Sequence, residues 1–345
     1  MLTFTKQAVL NFHTYPPVGG DDWRYTYQTA LVRTLEMQML GKATLLDMVN
    51  SQNFQQAADL LSGSEYSLSQ GGRDFSEVEN ILQQRRTAVR QLFADLMIDE
   101  SIVELFRARD DFANLRLAVR RSVTEKPIGT DYSPDANISP EQLEQIFGEQ
   151  EGKPAFADYI QEAVEQAILS YYQDKDIRQI DYAIDSVQAK YNLSRAHQLN
   201  NIFLLGLFRI QVDLNNIRTM LRLIFTESES RNVFLQGGYI ETERFKQALE
   251  LGYEALGSLF FASPYQRIVE TGANYLASNK SFLKVEQQCE EYLTGFLKST
   301  VQITAGPQPI IAYLLMKENE IRTVRLILTA KKNFLDTKLI TERIS

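Results

Sequence analysis

The sequence predicts an all-α protein, and three observations support this fold class. Apolar residues recur at three- and four-residue spacing through most of the chain, strand-like alternation is hard to find, and capping residues mark several helix starts. The chain has 345 residues, of which 44% are hydrophobic and 23% are charged. This length and composition fit a folded protein of two or three domains.

The individual helices can be placed from their period and their caps. The helical period is clearest in 27–40, 88–98 and 156–172. Ser139, Pro140 and Gln142 form the pattern of an N-cap, a proline at the first helical position and a capping-box partner. Ser76 and Glu79 have the same S-x-x-E form. We therefore expect helices to begin at these two points.

Two stretches interrupt the helical pattern. Residues 126–140 hold three prolines and a glycine, and the polar stretch 226–238 ends in paired glycines. Such compositions are typical of surface loops or domain boundaries. They divide the chain into three helical units of about a hundred residues each, 1–126, 127–228 and 229–345.

One short pattern occurs once in each unit. The three copies are "DFANLRLAVR" at 111–120, "DLNNIRTMLR" at 213–222 and "EIRTVRLILT" at 320–329. In every copy an acid precedes an arginine by five residues, an aliphatic residue stands immediately before that arginine, and further aliphatic residues follow it. The acids are Asp111, Asp213 and Glu320, which are 102 and 107 residues apart, and the arginines are Arg116, Arg218 and Arg325.

A second acidic position keeps a nearly constant distance from the first pattern. Glu79, Asp181 and Glu286 each open a helical segment, 32, 32 and 34 residues before the three acids. Two features that keep the same separation three times indicate a tripled unit. Its period of about a hundred residues is longer than that of the helical solenoid repeats, so we predict three related helical bundles.

The spacing of these charges suggests a physical role. Arginines four residues apart, as in the first two copies, repel one another unless an acid faces them. The upstream acids precede the arginines by 37, 37 and 39 residues, a distance that suits a neighbouring antiparallel helix. We hypothesise one interhelical pair in each unit, Glu79–Arg116, Asp181–Arg218 and Glu286–Arg325. Three solvated faces without mutual contact are the alternative, because most surface pairs contribute little.

Charge and hydropathy argue against several classes of partner. The longest apolar runs, 202–208 and 310–316, have seven residues each, far fewer than the roughly 20 that a membrane-spanning helix needs. The N-terminal residues lack the features of a signal peptide, and a single cysteine suits a reducing compartment, so we expect a cytoplasmic protein. The net charge of −8 is spread along the chain without a basic stripe. We expect no nucleic-acid partner and no direct adhesion to anionic lipid.

Motifs for catalysis are missing from the sequence. It contains no G-x-x-x-x-G-K-[ST] loop and no G-x-G-x-x-G, and its two histidines, His13 and His197, belong to no H-E-x-x-H or Cys/His cluster. Cys289 lies on an apolar-leaning helical segment and resembles a core residue. We therefore expect no catalytic site, no cofactor and no metal.

One enzyme class stays open as an alternative. "DDFAN", which includes Asp110 and Asp111, has the form of the aspartate-rich element with which all-helical isoprenoid synthases hold Mg²⁺ against a diphosphate. Such a site needs a second metal-binding set, and the sequence has neither another DDxxD nor an N-D-x-x-S-x-x-x-E pattern. A generic helical scaffold is the other alternative.

The C-terminal residues 310–344 closely resemble the signature of the C subunit of A/V-type rotary ATPases, the counterpart of the eukaryotic d subunit. The matching positions are Tyr313, Lys317, Glu318, Ile321, Arg322, Arg325, Ile327, Leu328, Lys331, Leu335, Ile340 and Arg343. Residues 25–49 look like the N-terminal helix of that family, with Arg33, Glu36 and Leu40. Asn333 stands where the family pattern leads us to expect glycine, and Asn tolerates the left-handed conformation of such a cap.

This resemblance implies a mechanical part without chemistry of its own. The family fold is an all-helical funnel of three related units, which rests on the cytosolic face of the membrane rotor ring and receives the tip of the central stalk. The implied partners are the central-stalk subunits of D and F type and the proteolipid ring, so that membrane contact is indirect and the chain is peripheral. The implied role is to transmit torque between ATP turnover and transport of H⁺ or Na⁺, and the choice of ion is left open.

Overall fold

The computed structural model describes residues 15–67, 75–124, 131–147, 157–228 and 233–344. Within these residues the regular structure is helical, and they contain no β-strand, which confirms the all-α class. Short 3-10 turns accompany fifteen α-helices in these ranges. The helices are α1 (Thr26–Glu36), α2 (Lys42–Asn50), α3 (Phe54–Asp59), α4 (Phe75–Leu96), α5 (Glu100–Val123), α6 (Pro140–Phe147), α7 (Asp158–Asp174), α8 (Arg178–Gln198), α9 (Ile202–Phe225), α10 (Thr242–Leu251), α11 (Leu256–Phe260), α12 (Gln266–Asn279), α13 (Leu283–Lys298), α14 (Pro307–Lys332) and α15 (Thr337–Ile344).

A pair of consecutive helices recurs three times along the chain. The pairs are α4 with α5, α8 with α9, and α13 with α14. Their first helices begin at residues 75, 178 and 283, and their second helices begin at residues 100, 202 and 307. The starts are 102 to 105 residues apart, which is the period expected from the repeated acids and arginines.

Contacts between Cα atoms divide the chain into two compact units. One unit is Asp99–Gly252, and the other combines the described residues of Met1–Ile98 and Tyr253–Ser345. The boundaries lie at other positions than the expected divisions after residues 126 and 228. Those divisions mark the sequence repeat, and as domain boundaries they stay a prediction.

In the unit Asp99–Gly252, the long helix α5 packs against α6, α7 and α8, and α9 packs against α8 and α10. The helices α5 to α8 share one hydrophobic core, which includes Phe112, Leu115, Leu143, Ile160 and Ile184. The core therefore joins the second helix of the first repeat to the helices of the next repeat. The loop that was expected to separate two units, 126–140, contributes the buried Tyr132 to it.

In the unit formed by the two ends of the chain, α14 packs against α1, α2, α3 and α4, and α13 packs against α12, α14 and α15. Gly306 precedes α14 and Pro307 occupies its first turn, where a proline costs no intrahelical hydrogen bond. Thr29 on α1 exchanges hydrogen bonds with the backbone of Gly306. A helix near the C-terminus is therefore enclosed by the first helices of the chain.

The helix ends agree with the sequence in one place and differ in two others. The capping box at the start of α6 is confirmed, because the Ser139 Oγ accepts from the Gln142 N–H and the Gln142 Oε1 accepts from the Ser139 N–H. In contrast, Ser76 lies inside α4, which begins at Phe75. After α14 the left-handed residue is Phe334, with φ of +57°, rather than Asn333, whose φ is −91°.

No helix in the described ranges could span a membrane. None of them combines the length and the apolar character that a transmembrane span requires. The short apolar runs at 202–208 and 310–316 lie inside α9 and α14.

Candidate functional site

The acid of the first repeat, Asp111, holds a loop against α5. Its Oδ1 accepts from the Ile138 N–H at 2.9 Å, and its Oδ2 accepts from the Asn137 Nδ2 and from the Tyr159 hydroxyl at 2.8 Å each. Burial raises the pKa of the Asp111 carboxyl, and these hydrogen bonds oppose the rise. Asp111 is therefore a structural side chain. It attaches both the loop before α6 and the helix α7 to α5.

The acid of the second repeat, Asp213, does the same on α9. It is fully buried, and its two oxygens accept from the N–H groups of Tyr239 at 2.9 Å and Ile240 at 3.1 Å. The bound groups lie 26 and 27 residues after the acid, as they do for Asp111. A Cβ at Gly238 would overlap the Asp213 Oδ1, so glycine lets the loop come this close.

An asparagine three residues after each of these acids adds a second attachment. Asn114 and Ser133 exchange two hydrogen bonds of 3.0 and 2.8 Å, and Asn216 and Leu235 exchange two of 2.8 Å. In both repeats the partner lies 19 residues after the asparagine. The shared spacing D-x-x-N in "DFAN" and "DLNN" is the sequence signal for this arrangement, and the spacing of the acids and arginines alone does not reveal it.

The acid of the third repeat, Glu320, binds segments from the beginning of the chain. Its Oε2 accepts from the Leu40 N–H at 2.6 Å, and its Oε1 accepts from the Tyr66 hydroxyl at 2.6 Å and the Lys317 Nζ at 2.5 Å. Leu40 and Tyr66 precede this acid by 280 and 254 positions, whereas the residues bound by Asp111 and Asp213 follow the acid. On α5 and α9 the acid binds a loop that follows the helix. On α14 the acid binds segments that precede α4 in the chain.

The ammonium group of Lys317 lies at the centre of a buried cluster. Lys317 is 2% exposed, binds Glu65 and Glu320, and lies 5.0 Å from the centroid of the Tyr66 ring. Burial and the nearby carboxylates raise the pKa of Tyr66. The same causes, burial first and then Glu65 and Glu320, raise the pKa of Tyr313 to about 12. This cluster fastens the segments around Leu40 and Glu65 to α14.

Other residues of the family signature make similar internal contacts. Glu318 pairs with Arg90 of α4 at 2.8 Å, and the Lys331 Nζ donates to the Ser51 carbonyl oxygen at 2.8 Å. Arg33 of α1 donates to the carbonyl oxygen of the buried Thr300 at 2.6 Å. These signature positions join the N-terminal helices to the last third of the chain.

The acids Glu79 and Asp181 each contact an arginine of another helix. Glu79 binds Arg325 at 2.8 Å, and Asp181 lies 3.3 Å from Arg116 and also binds Arg120. The predicted pairs Glu79–Arg116 and Asp181–Arg218 are therefore corrected, because each acid contacts an arginine of a different repeat. The physical reason is that α4 packs on α14 and α8 packs on α5.

The remaining predicted positions lie on the expected helices. Glu286 is half-buried on α13, where its charge contributes to the raised pKa of Arg343, whose main cause is the hydrogen bond with Glu290. Arg218 lies on α9. The residues predicted to pair with them bind other side chains: Asp181, the predicted partner of Arg218, binds Arg116, and Arg325, the predicted partner of Glu286, binds Glu79.

Charge reversal at Arg325 tests its pair with Glu79. Both side chains are partly exposed, so we expect Arg325→Glu to destabilise the fold by about 1 kcal/mol, with a lower midpoint of urea unfolding. The charge swap Glu79→Arg with Arg325→Glu should restore most of the loss. An equal loss in the single and the double variant would mean that Arg325 contributes through its packing and not through this pair.

The alternative Mg²⁺ site receives no support from the described residues. Both oxygens of Asp111 accept hydrogen bonds from protein donors, and Asp110 is buried on the same helix. No group of three or more His, Cys, Asp or Glu residues in the described ranges is arranged to hold a metal ion. His197 is exposed on α8, Cys289 is buried on α13 as expected for a core residue, and His13 lies outside the described residues.

Comparison with known proteins agrees with the resemblance of the C-terminal residues. The family model described as ATP synthase (C/AC39) subunit matches residues 28–343. The C subunit of the V-type sodium ATPase of Enterococcus hirae is 23% identical over 322 residues, which cover 91% of this chain and 96% of that protein. The C subunit of the A-type ATP synthase of Methanosphaera stadtmanae is 21% identical over 347 residues, which cover 94% of this chain and 88% of that protein. Because the family match spans nearly the whole chain, this protein belongs to the ATP synthase (C/AC39) subunit family.

Proposed function

We propose that this chain is a non-catalytic adapter in the central rotor of an A/V-type ATPase. The observation that carries the proposal is the similarity, over nearly the full length of both chains, to two proteins that are named as the C subunits of a V-type sodium ATPase and of an A-type ATP synthase. Membership of the C/AC39 family supports a structural subunit and does not favour the isoprenoid-synthase alternative.

The proposed partners are the central-stalk subunits of D and F type and the proteolipid ring. The chain would be peripheral on the cytosolic face and would meet the membrane through the ring. Its three related helical units would form the funnel that the resemblance implies, with a socket for the stalk. The coupled ion, H⁺ or Na⁺, would be determined in the ring.

The internal contacts of α14 suit a part that carries torque. A torque-transmitting body has to resist relative movement of its helices, and buried, fully paired polar groups hold helices in one register. On the 26-residue helix α14, Lys317 binds Glu65 and Glu320 binds the Leu40 N–H, both between α1 and α4. Glu318 binds Arg90 on α4. These contacts support the proposal because they oppose separation of the first helices from α14.

Purification from native membranes tests the proposed function. Membranes are dissolved in mild detergent, the chain is recovered by an N-terminal tag, and its partners are identified by mass spectrometry. We expect proteolipid and central-stalk subunits in constant ratio, with ATPase activity in the eluate. The untagged strain is the control, and recovery of the chain alone from the soluble fraction would contradict the proposal and favour a free helical scaffold.

A further inference from the structure

The outer face of α1 and of the turn before it carries large apolar side chains. On its inner face Thr29 and Val32 are buried, and α1 packs against α14. On the outer face Trp23 is 66% exposed, Tyr27 is 72% exposed and Met37 is 86% exposed. Exposed apolar patches mark surfaces that bind other proteins, and tryptophan, tyrosine and methionine are enriched there. The outer face of α1 is therefore a candidate interaction surface.

The spacing of this face fits a second helix. Five exposed residues, which we call the α1 stripe, follow one another at intervals of four, three, four and three positions: Trp23, Tyr27, Ala30, Thr34 and Met37. The a and d positions of a coiled coil have this spacing and lie along one seam of the helix. A 3-10 turn at Trp23–Tyr25 leads directly into α1, so the stripe is helical along its length. Its partner is therefore a helix with apolar residues at the same spacing.

The α1 stripe is complementary to itself in the antiparallel direction. With a two-fold axis at Ala30, Trp23 of one copy faces Met37 of the other copy, and Tyr27 faces Thr34. Each large ring thus meets a flexible or a small side chain, and a methionine sulfur packs favourably against an aromatic ring. Ala30 faces Ala30, and its small side chain lets the two helices approach closely. The same patch on both copies forms an isologous interface.

The charges beside the α1 stripe permit this pairing. The stripe itself contains no charged residue. On its flanks Arg24 lies opposite Gln38 of the second copy, and Arg33 lies opposite Thr26. Both arginines also form salt bridges within their own chain. No like charges face one another along the seam, so the repulsion that commonly prevents self-association is absent from it.

The exposed area of the α1 stripe predicts a weak dimer. A large aromatic side chain buries about 150–250 Å² when it is fully covered. The exposed parts of Trp23, Tyr27 and Met37, with the two small residues between them, therefore provide roughly 500 Å² in each copy. Stable complexes bury about 800 Å² on each partner, and weak complexes bury less. We expect a reversible dimer with a Kd of about 10–100 µM.

We propose that two copies of this chain pair through the α1 stripe, antiparallel and centred on Ala30. Each Trp23 then becomes covered by Met37 of the other copy. The inference rests on the exposure, the spacing and the self-complementarity of the stripe. It concerns the free chain and is independent of the proposed rotor function.

The fluorescence of Trp23 reports directly on this surface, because the chain contains no other tryptophan. The full-length protein is excited selectively at tryptophan over a concentration range of about 1 µM to about 1 mM. We expect the emission to shift to shorter wavelength, and quenching by acrylamide to weaken, as the concentration rises. Sedimentation velocity over the same range should show a change from one chain to two.

Charge variants at Ala30 test the arrangement of the two helices. Ala30→Glu places two like charges at the two-fold axis and should weaken pairing at least about tenfold, and Ala30→Lys should do the same. An equimolar mixture of the two variants should pair again, because opposite charges then meet at the axis. Ala88→Glu is the matched control, since Ala88 is an exposed alanine on α4 in the same compact unit. It should leave pairing unchanged.

Three results would contradict the proposal. The first is a single chain at about 1 mM with an emission that does not depend on concentration. The second is a dimer that Ala30→Glu and Ala88→Glu weaken equally, or that the mixture of charge variants does not restore. The third is a photoreactive side chain at position 27 that crosslinks only to another subunit in native membranes, which would assign the stripe to that subunit. Circular dichroism of each variant confirms that the helices are retained. Purification from native membranes tests the rotor function separately, so a failure of one proposal can be distinguished from a failure of the other.

Discussion

Replacing Lys317 with methionine should lower the free energy of unfolding by about 3–5 kcal/mol, because removal of one partner of a buried ion pair leaves the other charge uncompensated. Methionine keeps most of the volume of the side chain, so the loss reports mainly on the missing charge. Glu320 would remain buried without its cation, next to Tyr66 and Glu65. Urea unfolding followed by circular dichroism measures the effect.

Two further variants identify the cause of that loss. Lys317→Met combined with Glu320→Gln removes both charges of the closest pair and should recover a part of the stability. Lys338→Met changes an exposed lysine on α15 and should shift stability by less than about 0.5 kcal/mol. A loss below about 1 kcal/mol in Lys317→Met would show that the cluster does not hold the segments around Leu40 and Glu65 to α14.

The second large effect is expected at the second repeat. Asp213→Ala should destabilise the unit Asp99–Gly252 by about 2–5 kcal/mol, because it leaves the buried N–H groups of Tyr239 and Ile240 without an acceptor. Asp213→Asn keeps one acceptor oxygen and should give an intermediate loss. Hydrogen exchange at the Tyr239 and Ile240 amides should accelerate in both variants, since these are the groups that are released.

The same contact can be tested from the side of the loop. A methyl group at Gly238 would collide with the Asp213 carboxylate, so Gly238→Ala should also accelerate exchange at the Tyr239 and Ile240 amides. Asp174→Ala, at the exposed end of α7, is the control and should change stability by less than about 0.5 kcal/mol. Unchanged exchange in Asp213→Ala would contradict the role of this acid in holding the loop.

The candidate site was predictable in part from the sequence. The repeated acids and arginines can be recognised in the sequence, and all nine of these predicted residues lie on helices. Their partners are not predictable from spacing, because spacing favours the next antiparallel helix along the chain, whereas α4 packs on α14 and α8 packs on α5. Arg116 in fact meets Asp181, and Arg325 meets Glu79, from helices that share its bundle. The spacing of acids and arginines does not predict that Asp111 and Asp213 hold loops. The pattern D-x-x-N indicates this role only when the loop that the acid and the asparagine bind is known.

The sequence by itself determined the helices, their period and several of their ends. These features depend on residues three or four positions apart, such as the apolar stripe of each helix and the capping box of Ser139 and Gln142, so they can be read locally. Only the tertiary structure decided which helices form one core and which charges meet. Glu320 and Leu40, or Arg325 and Glu79, lie about 250 to 280 residues apart. Such contacts follow from the burial of whole helix faces, a property of the packed chain that the spacing of residues along it does not specify.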